Sequence, residues 1–350
     1  MRILLRATNW VGDVAMSLPA LKALRASFPS DHLAVLARPW VADLYRLRRD
    51  VDEVVVEDPA GREAGAEGRR RLAAELRAKS FDRALLLPTS FGAAWTVQQA
   101  GIPERYGWAS EGRAALLTHA LSPRLFRGRH QIWKHLFLVE AAGAALPDAP
   151  DASWEVTGDV AAKGRAVLES AGWDGRPFLA AHVASFAHAA KRWELPSYAA
   201  VFDRFAETKG FATVLLGSRD EGAANGEAAG LLRRARVHDL SGKSTLTDVL
   251  GILSLARLFV GNDSGLSHLA GAVGTPAVVV FGPTDPDATR PWDGPRGDGK
   301  PPRIAVVRRR TACAPCRFDV CPIDHRCMAG LSADAVLDAA DGLLGSPGRR

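Results

Sequence analysis

Short, continuous apolar runs alternate along this chain with segments whose apolar residues recur every three or four positions. The first apolar runs lie at 3–5, 33–37, 54–56 and 84–87, and helical spacing is found at 14–27 and 69–79. Strands without polar alternation are buried on both faces, as in a parallel sheet that helices cover on each side. The pattern therefore predicts an α/β fold built on doubly wound parallel sheets.

The alternation restarts after a segment rich in Pro, Asp and Ala at 147–151, which we interpret as a domain boundary. Apolar runs follow at 178–181, 213–216, 258–260 and 277–281, and helical segments at 160–171, 198–209, 246–254, 266–273 and 333–344. A chain of 350 residues suits two domains of roughly 150 to 180 residues. We predict two Rossmann-like domains, 1–155 and 156–330, a closing helix and tail at 331–350, and a ligand cleft at the carboxyl ends of the strands.

Composition and charge narrow the classes of function. Hydrophobic residues make up 47% and charged residues 24% of the chain, which excludes a disordered protein. No stretch reaches the roughly 18 apolar residues of a membrane-spanning helix, and the first residues do not form a signal peptide, so we predict a cytoplasmic chain. The basic surplus, 45 Lys and Arg against 39 acids, is spread along the chain. That distribution disfavours nucleic acid and is compatible with phosphate-bearing ligands.

The loop between the first predicted strand and helix ends on an acid, Asp13. Two interpretations stay open. An Asp at this place caps a helix by accepting hydrogen bonds from free backbone N–H groups. Alternatively it is a carboxylate base, kept ionised because a helix N-terminus lowers the pKa of an acid.

The second half carries a strand, a polar turn and a helix start in the segment Val260-Gly261-Asn262-Asp263-Ser264-Gly265-Leu266-Ser267-His268. Free N–H groups at such a start bind a pyrophosphate, although an ordinary helix cap is the alternative. Lys191 and Arg192 lie in a loop of the same half, where they either neutralise a leaving diphosphate or form a solvated basic turn. An acid at 220 or 221, after another strand, suits ribose hydroxyls.

Other candidate motifs fail. Gly242-Lys243-Ser244 resembles the end of a Walker A loop, but Val237 occupies the required upstream glycine position. The sequence contains no Gly-x-Gly-x-x-Gly dinucleotide fingerprint. We interpret the two Asp-x-Asp pairs, at 50 and 52 and at 285 and 287, as surface acids rather than metal ligands.

All four cysteines fall within one short segment, as Cys313, Cys316, Cys321 and Cys327. The spacing suits four thiolates around a tetrahedral zinc or iron ion, with His325 able to replace one of them. Paired or redox cysteines and free thiols are the alternatives, and a cytoplasmic setting disfavours disulfides. We predict a structural cluster, remote from the chemistry, that holds one zinc or iron ion.

Taken together, these motifs resemble glycosyltransferase family 9, the ADP-heptose–lipopolysaccharide heptosyltransferases, and most closely its heptosyltransferase II members. The resemblance runs nearly end to end. Its stretches are Asn9-Trp10-Val11-Gly12-Asp13, Met16-Ser17-Leu18-Pro19-Ala20-Leu21, Leu87-Pro88-Thr89-Ser90-Phe91, Gly101-Ile102-Pro103-x-Arg105-x-Gly107-Trp108, Lys191-Arg192-Trp193, Asn262-Asp263-Ser264-Gly265-Leu266-Ser267-His268 and Gly282-Pro283-Thr284. The cysteine segment also looks like a tail found in many type II members.

The resemblance implies a GT-B fold whose first domain binds the acceptor and whose second binds ADP-heptose. It implies an inverting transfer that needs no metal, with Asp13 as the general base on the acceptor hydroxyl. It also implies a set of donor-binding residues in the second domain. These are Lys191 and Arg192 for the phosphates, Asp263 for the heptose, Ser264, Gly265 and His268 for the phosphate and sugar pocket, and Asp220 or Glu221 for the ribose.

One segment departs from the family pattern. Members carry a Gly-Ala pair and a Phe-Gly-Pro-like loop before Lys-Arg-Trp, whereas residues 182–190 contain no Gly and one extra residue. Ser185 remains the candidate donor contact there. In the first domain, Arg6, Trp10, Arg113 and Arg129 are the candidates for the anionic acceptor, and Arg113 alone among these arginines has motif context.

The sequence therefore predicts transfer of heptose from ADP-L-glycero-D-manno-heptose to heptosyl-Kdo-lipid A, the inner core of lipopolysaccharide. The acceptor places the enzyme on the cytoplasmic face of the inner membrane, where an untethered basic protein is drawn to anionic lipid. Heptosyltransferase I, or another family 9 enzyme with a different donor or acceptor, is the nearer alternative. A non-catalytic protein that binds nucleotide or anionic lipid is the more distant one.

Overall fold

The computed structural model describes residues 1–185, 188–294, 303–316 and 318–345. The chain divides into two compact units, Met1–Ala152 and Ser153–Arg350. The division lies close to the boundary predicted at 155. Assignment of the acceptor to the first unit and of the donor to the second stays a prediction.

Over residues 1–152, all of which are described, six strands form one parallel sheet in the order β3-β2-β1-β4-β5-β6. The strands are β1 Arg2–Arg6, β2 His32–Ala37, β3 Glu53–Val56, β4 Arg83–Leu86, β5 Glu104–Trp108 and β6 His119–Leu121. The α-helices are α1 Val11–Ser27, α2 Pro39–Arg46, α3 Gly65–Ala78, α4 Phe91–Gln99 and α5 Ile132–Ala141. Leu4, Ala34 and Leu86 from neighbouring strands lie at the centre of the core between sheet and helices.

In the described part of the second unit, six further strands form a parallel sheet in the order β12-β11-β10-β7-β8-β9. The strands are β7 Phe178–His182, β8 Ala212–Leu215, β9 Val237–Asp239, β10 Leu258–Asn262, β11 Ala277–Phe281 and β12 Ile304–Arg308. The α-helices are α6 Gly158–Ser170, α7 Leu195–Lys209, α8 Gly222–Leu231, α9 Leu246–Leu255, α10 Gly265–Ala272, α11 Pro286–Thr289, α12 Arg326–Ala329 and α13 Ala333–Leu343.

Two parallel sheets flanked by helices confirm the predicted α/β class. The strand order reverses beside β1 in the first unit and beside β7 in the second, as in doubly wound sheets whose ligands bind at the carboxyl ends of the strands. The connection between β11 and β12 contains the short helix α11, and residues 295–302 of this connection lie outside the described part of the chain. Among the described residues, no helix has both the length and the apolar character needed to cross a membrane.

Candidate functional site

Asp13 lies in the first turn of α1, at the carboxyl edge of the first sheet. The helix begins at Val11, and Trp10 occupies the N-cap position with extended backbone, φ −106° and ψ 139°. The interpretation of Asp13 as the N-cap residue is therefore wrong. As a half-buried acid inside the first turn, its carboxylate is still favoured by the helix dipole.

Arg6 closes β1 and is 3% exposed, so it does not present its guanidinium to solvent. It forms an ion pair with Glu57 at 2.7 Å and donates a hydrogen bond to Asn9 Oδ1 at 3.2 Å. Burial lowers the pKa of Arg6, and the Glu57 carboxylate opposes that shift. Arg38 donates to the same Asn9 oxygen at 3.3 Å. These contacts hold the loop that leads into α1.

Arg113 is also buried, whereas Arg129 is exposed. The Arg113 guanidinium donates to the carbonyl oxygens of Trp108 at 3.0 Å and Ser90 at 3.1 Å. Burial lowers the pKa of Arg113 to about 10. Arg129 lies over the ring of Phe137 at 5.2 Å. Of the three predicted acceptor arginines, the structure leaves Arg129 open to an outside anion.

Lys134 lies on α5 and interacts electrostatically with Asp13. It was not among the residues predicted from the sequence. Burial lowers the pKa of Lys134; Asp13 opposes this shift and Arg113 reinforces it. The half-buried Lys134 ammonium therefore lies near the Asp13 carboxylate. The sequence feature that could have indicated Lys134 is a single Lys near the start of a mostly apolar helix, Ile-Trp-Lys-His-Leu-Phe-Leu-Val.

Three exposed aromatic side chains follow the carboxyl ends of β1, β2 and β4. They are Trp10, Trp40 and Phe91, with exposed fractions of 61%, 55% and 47%. Trp40 Nε1 donates to the Asn9 carbonyl at 2.7 Å, which joins the first two loops. Of these three residues, Trp10 alone was predicted as an acceptor contact. Phe91 lies in a matched stretch without an assigned role, and the helices that begin near Trp40 and at Phe91 were not predicted.

In the second unit, Lys191 and Asp263 meet directly. Lys191 closes a short 3-10 helix, Ala189–Lys191, and its Nζ donates to Asp263 Oδ2 at 2.9 Å. Thr284 Oγ1, in the loop after β11, donates to the same oxygen at 2.8 Å. The structure thus brings together Lys191 and Asp263, both predicted as donor contacts, with Thr284, which lies in a matched stretch but had no predicted role. We name these three residues the donor cluster.

The donor cluster borders the start of α10, whose N-cap is Ser264 and whose first residue is Gly265. His268, one turn further, is buried. The buried Asn262 accepts hydrogen bonds from Trp193 N–H at 3.1 Å and Tyr198 O–H at 2.8 Å. It thereby fixes the end of β10 against the loop that carries Lys191, a role that the sequence analysis did not assign.

Arg192 and Ser185 lie together, because Arg192 Nη2 donates to the Ser185 carbonyl at 3.0 Å. Ser185 itself is buried. The segment that departs from the family pattern is described at 182–185 and 188–190, and its Phe186 and Ala187 lie outside the described residues.

The two candidate ribose acids have opposite surroundings. Asp220 is exposed, whereas Glu221 is buried. Glu221 accepts hydrogen bonds from His182 Nε2 at 3.1 Å and from Ser218 N–H at 2.9 Å. Burial raises the pKa of Glu221, but these hydrogen bonds outweigh burial and lower the pKa to about 2. Glu221 is therefore ionised at neutral pH.

The four cysteines are free thiols that line one cavity of about 40 Å³, together with Ala190 and Pro283. Burial and the nearby Cys313 and Cys321 raise the pKa of Cys327. Within the described ranges, no three His, Cys, Asp or Glu side chains stand where they could hold a metal ion. The thiols share a cavity without converging as ligands.

The cysteine segment, residues 313–327, contacts the loops of the donor cluster. A hydrogen bond of 2.6 Å joins His325 Nε2 to the carbonyl oxygen of Ala190, the residue before Lys191. Cys316 N–H donates to the Pro283 carbonyl at 3.0 Å, the residue before Thr284. The prediction that the cysteines are remote from the candidate site is wrong, since the chain folds back across more than 100 residues.

The Asp-x-Asp pairs serve local structure. Asp285 accepts a hydrogen bond from Asp287 N–H at 3.0 Å and caps α11. Asp52 pairs with Arg25, and Asp50 pairs with Arg48. The carboxylates of Asp50, Asp52 and Asp285 thus have partners within the chain, and the interpretation of the two pairs as surface acids rather than metal ligands stays a prediction.

The family model for glycosyltransferase family 9 (heptosyltransferase) matches residues 69–325. Lipopolysaccharide heptosyltransferase 2 of Salmonella typhimurium is 31% identical over 299 residues, 83% of this chain and 85% of that protein. The Escherichia coli K12 protein of the same name is 30% identical over 299 residues, which again cover 83% of this chain and 85% of that protein. The structure of E. coli ADP-heptose lps heptosyltransferase II superposes with a TM-score of 0.81 at 26% identity, covering 98% of both chains. This chain therefore belongs to glycosyltransferase family 9, with the GT-B fold, and is a glycosyltransferase.

Proposed function

We propose that this enzyme transfers heptose from ADP-L-glycero-D-manno-heptose to heptosyl-Kdo-lipid A in the inner core of lipopolysaccharide, with inversion at the anomeric carbon. The observation that carries the proposal is the donor cluster at the start of α10, formed by a cation, a buried acid and a hydroxyl from three separate loops. The heptosyltransferase 2 relatives at 30–31% identity support the choice of sugar and acceptor.

In the proposed reaction, Asp13 accepts the proton of the acceptor hydroxyl as its oxygen attacks the anomeric carbon of the heptose. The bond from that carbon to the β-phosphate oxygen breaks, and the electron pair leaves with ADP. Lys191 and the N-terminal N–H groups of α10 stabilise the negative charge that grows on the diphosphate. Lys134, close to Asp13, favours the ionised acid before the proton arrives.

The remaining donor contacts are assigned to different parts of the donor. We propose that Asp263 binds the heptose and that Ser185 and Arg192 bind the diphosphate. The pocket for the sugar and phosphates is formed by Ser264, Gly265 and His268. Between the two candidate ribose acids, we favour Glu221, because His182 and Ser218 hold its carboxylate in place just after the carboxyl end of β8. Asp220 serves as the matched comparison.

The test of this function is a transfer screen with the purified enzyme. ADP-heptose is compared with other ADP- and UDP-sugars as donor, and Kdo-lipid A with heptosyl-Kdo-lipid A as acceptor. We expect transfer from ADP-heptose to the acceptor that already carries one heptose. Transfer to Kdo-lipid A would assign heptosyltransferase I activity instead, and ADP binding without transfer to any acceptor would indicate a non-catalytic binder.

We predict that catalysis needs no divalent cation, since Lys191 and a helix N-terminus supply the positive charge at the diphosphate. Brief treatment with EDTA should leave the transfer rate unchanged, and added Mg²⁺ should not raise it. Loss of activity with EDTA and its return with Mg²⁺ would contradict this prediction and direct attention to Asp285 and Asp287.

We further propose that the cysteine segment supports the donor loops and holds one structural zinc or iron ion. Thiolates are ligands that both ions prefer, and binding has to draw the four thiols together. Elemental analysis of protein purified without chelators should give about one zinc or iron per chain. Absence of metal, with four thiols titrating freely in the native protein, would contradict the proposal.

The acceptor's lipid anchor places the proposed reaction at a membrane surface, on the cytoplasmic side where ADP-heptose is present. We propose that the enzyme associates with this surface peripherally. The exposed Arg129 and the net charge of +6 favour attraction to anionic lipid.

A further inference from the structure

His182 ends β7, the strand at which the order of the second sheet reverses, and its side chain connects two residues of the proposed donor site. Its Nε2 lies 3.1 Å from Glu221 Oε1, and its Nδ1 lies 3.1 Å from Ser264 Oγ. The strand pairs with β8 on one side and β10 on the other, so the loops that carry Glu221 and Ser264 flank it. His182 is 5% exposed.

The hydrogen-bonding capacity of Glu221 determines which atom donates in its contact with His182. Glu221 is ionised and can only accept hydrogen bonds, so the proton of this contact lies on His182 Nε2. The second oxygen, Oε2, accepts from Ser218 N–H and Ser218 O–H at 2.9 and 3.1 Å. Both oxygens of the acid therefore have fixed partners. The opposite ring nitrogen holds the Ser264 hydroxyl at the N-cap of α10.

We propose that His182 is a positioning residue that couples ribose recognition at Glu221 to diphosphate recognition at Ser264. One rigid imidazole ring fixes both side chains, so displacement of either one moves the other. This inference rests on the donor site of the proposed function and extends it. The ligand that such a coupled pair recognises is a nucleoside diphosphate bound through its ribose and its phosphates together.

The direct test measures the affinity of the full-length enzyme for ADP by calorimetry. His182→Phe keeps a planar ring but removes both hydrogen bonds, and ADP affinity should fall about ten- to hundred-fold. His182→Gln can retain the Glu221 contact and His182→Asn the Ser264 contact, so each should recover part of the affinity. The acceptor KM should stay unchanged in all three variants.

The matched control is His238, a buried histidine on β9 whose Nδ1 contacts the Ala171 carbonyl at 3.0 Å. His238→Phe makes the same change in side-chain size as His182→Phe, at a site that is buried to a similar extent. Unlike His182, His238 contacts no residue of the proposed donor site through this hydrogen bond. The His238 variant should leave ADP affinity unchanged even where the thermal midpoint falls. Equal losses of ADP affinity in the two Phe variants would overturn the positioning role and indicate a general effect of core damage.

Coupling is tested by a double-mutant cycle of Glu221→Gln and Ser264→Ala, measured with His182 present and again in the His182→Phe background. The two effects on ADP affinity should be non-additive with His182 and additive without it. The same coupling in both backgrounds would overturn the inference. Failure of the wild-type enzyme to bind ADP would instead contradict the proposed function, and the inference with it.

Discussion

Replacing Asp13 by asparagine is expected to lower kcat by about 10²- to 10⁴-fold while ADP-heptose still binds. The substitution keeps the size and hydrogen-bonding reach of the side chain but removes its ability to take a proton. Donor affinity should not change, because the donor cluster belongs to the second unit. Single-turnover kinetics with heptosyl-Kdo-lipid A and calorimetry with ADP measure the two quantities separately.

The control for this variant is Asp159→Asn. Asp159 also lies in the first turn of a helix, α6, and is exposed. A carboxylate at that place contributes about 0.3–1 kcal/mol through the helix dipole, so the control reports the structural effect of losing such an acid. Near-normal turnover of the Asp13 variant would refute the role as base and leave Asp13 as a helix-stabilising residue.

Replacing Lys191 by methionine is expected to weaken ADP-heptose binding at least a hundredfold and to destabilise the second unit. The change leaves the buried Asp263 carboxylate with Thr284 but without its cation. Breaking a buried pair costs about 3–5 kcal/mol, and the 20% exposure of Lys191 places this pair towards the lower value. Titration calorimetry and thermal denaturation measure the two losses.

A second substitution separates the two roles of Lys191. In Lys191→Met with Asp263→Asn, the uncompensated charge is gone, so the thermal midpoint should recover. Binding of ADP, which lacks the heptose that we assign to Asp263, should stay weak. Lys243→Met is the matched control, because Lys243 donates to a backbone carbonyl of the same unit but pairs with no buried acid. Recovery of donor affinity in the double variant would show that Lys191 serves Asp263 alone and does not bind the diphosphate.

The strands and helices predicted best from the sequence are those whose pattern of apolar residues matches their burial in the fold. Strands β1, β10 and β11 are continuous apolar runs and were found, whereas β9 consists of Val-His-Asp and carries no apolar run. Helix α8 is rich in Ala and Gly, so its buried face is not visible in the sequence. Strand β5 begins Glu-Arg and carries its buried residues, Tyr106, Gly107 and Trp108, only in its second half.

Site residues divide in the same way. Lys191 and Asp263 were predicted in one donor site, and each follows a strand of one parallel sheet, whose strands end at a common edge. Thr284, which follows the next strand, was not assigned to that site. Arg6 and Arg113 were assigned to the acceptor from their charge, but their partners are a carboxylate 51 positions away and backbone carbonyls. The cysteine segment reaches Ala190 across 135 positions. Contacts of this kind depend on tertiary packing, which no local pattern records.

The cavity shared by the four thiols has a consequence for chemical inhibition. Ala190 and Pro283 form part of its wall, and each precedes a residue of the donor cluster. In the metal-free protein, an electrophile that alkylates the exposed Cys313 and extends into the cavity adds volume to a space of about 40 Å³. The added group has to displace one of these two loops. A covalent ligand that fills this cavity would therefore act on the donor cluster from outside the nucleotide site, and bound ADP, which holds the same loops in place, should slow its reaction.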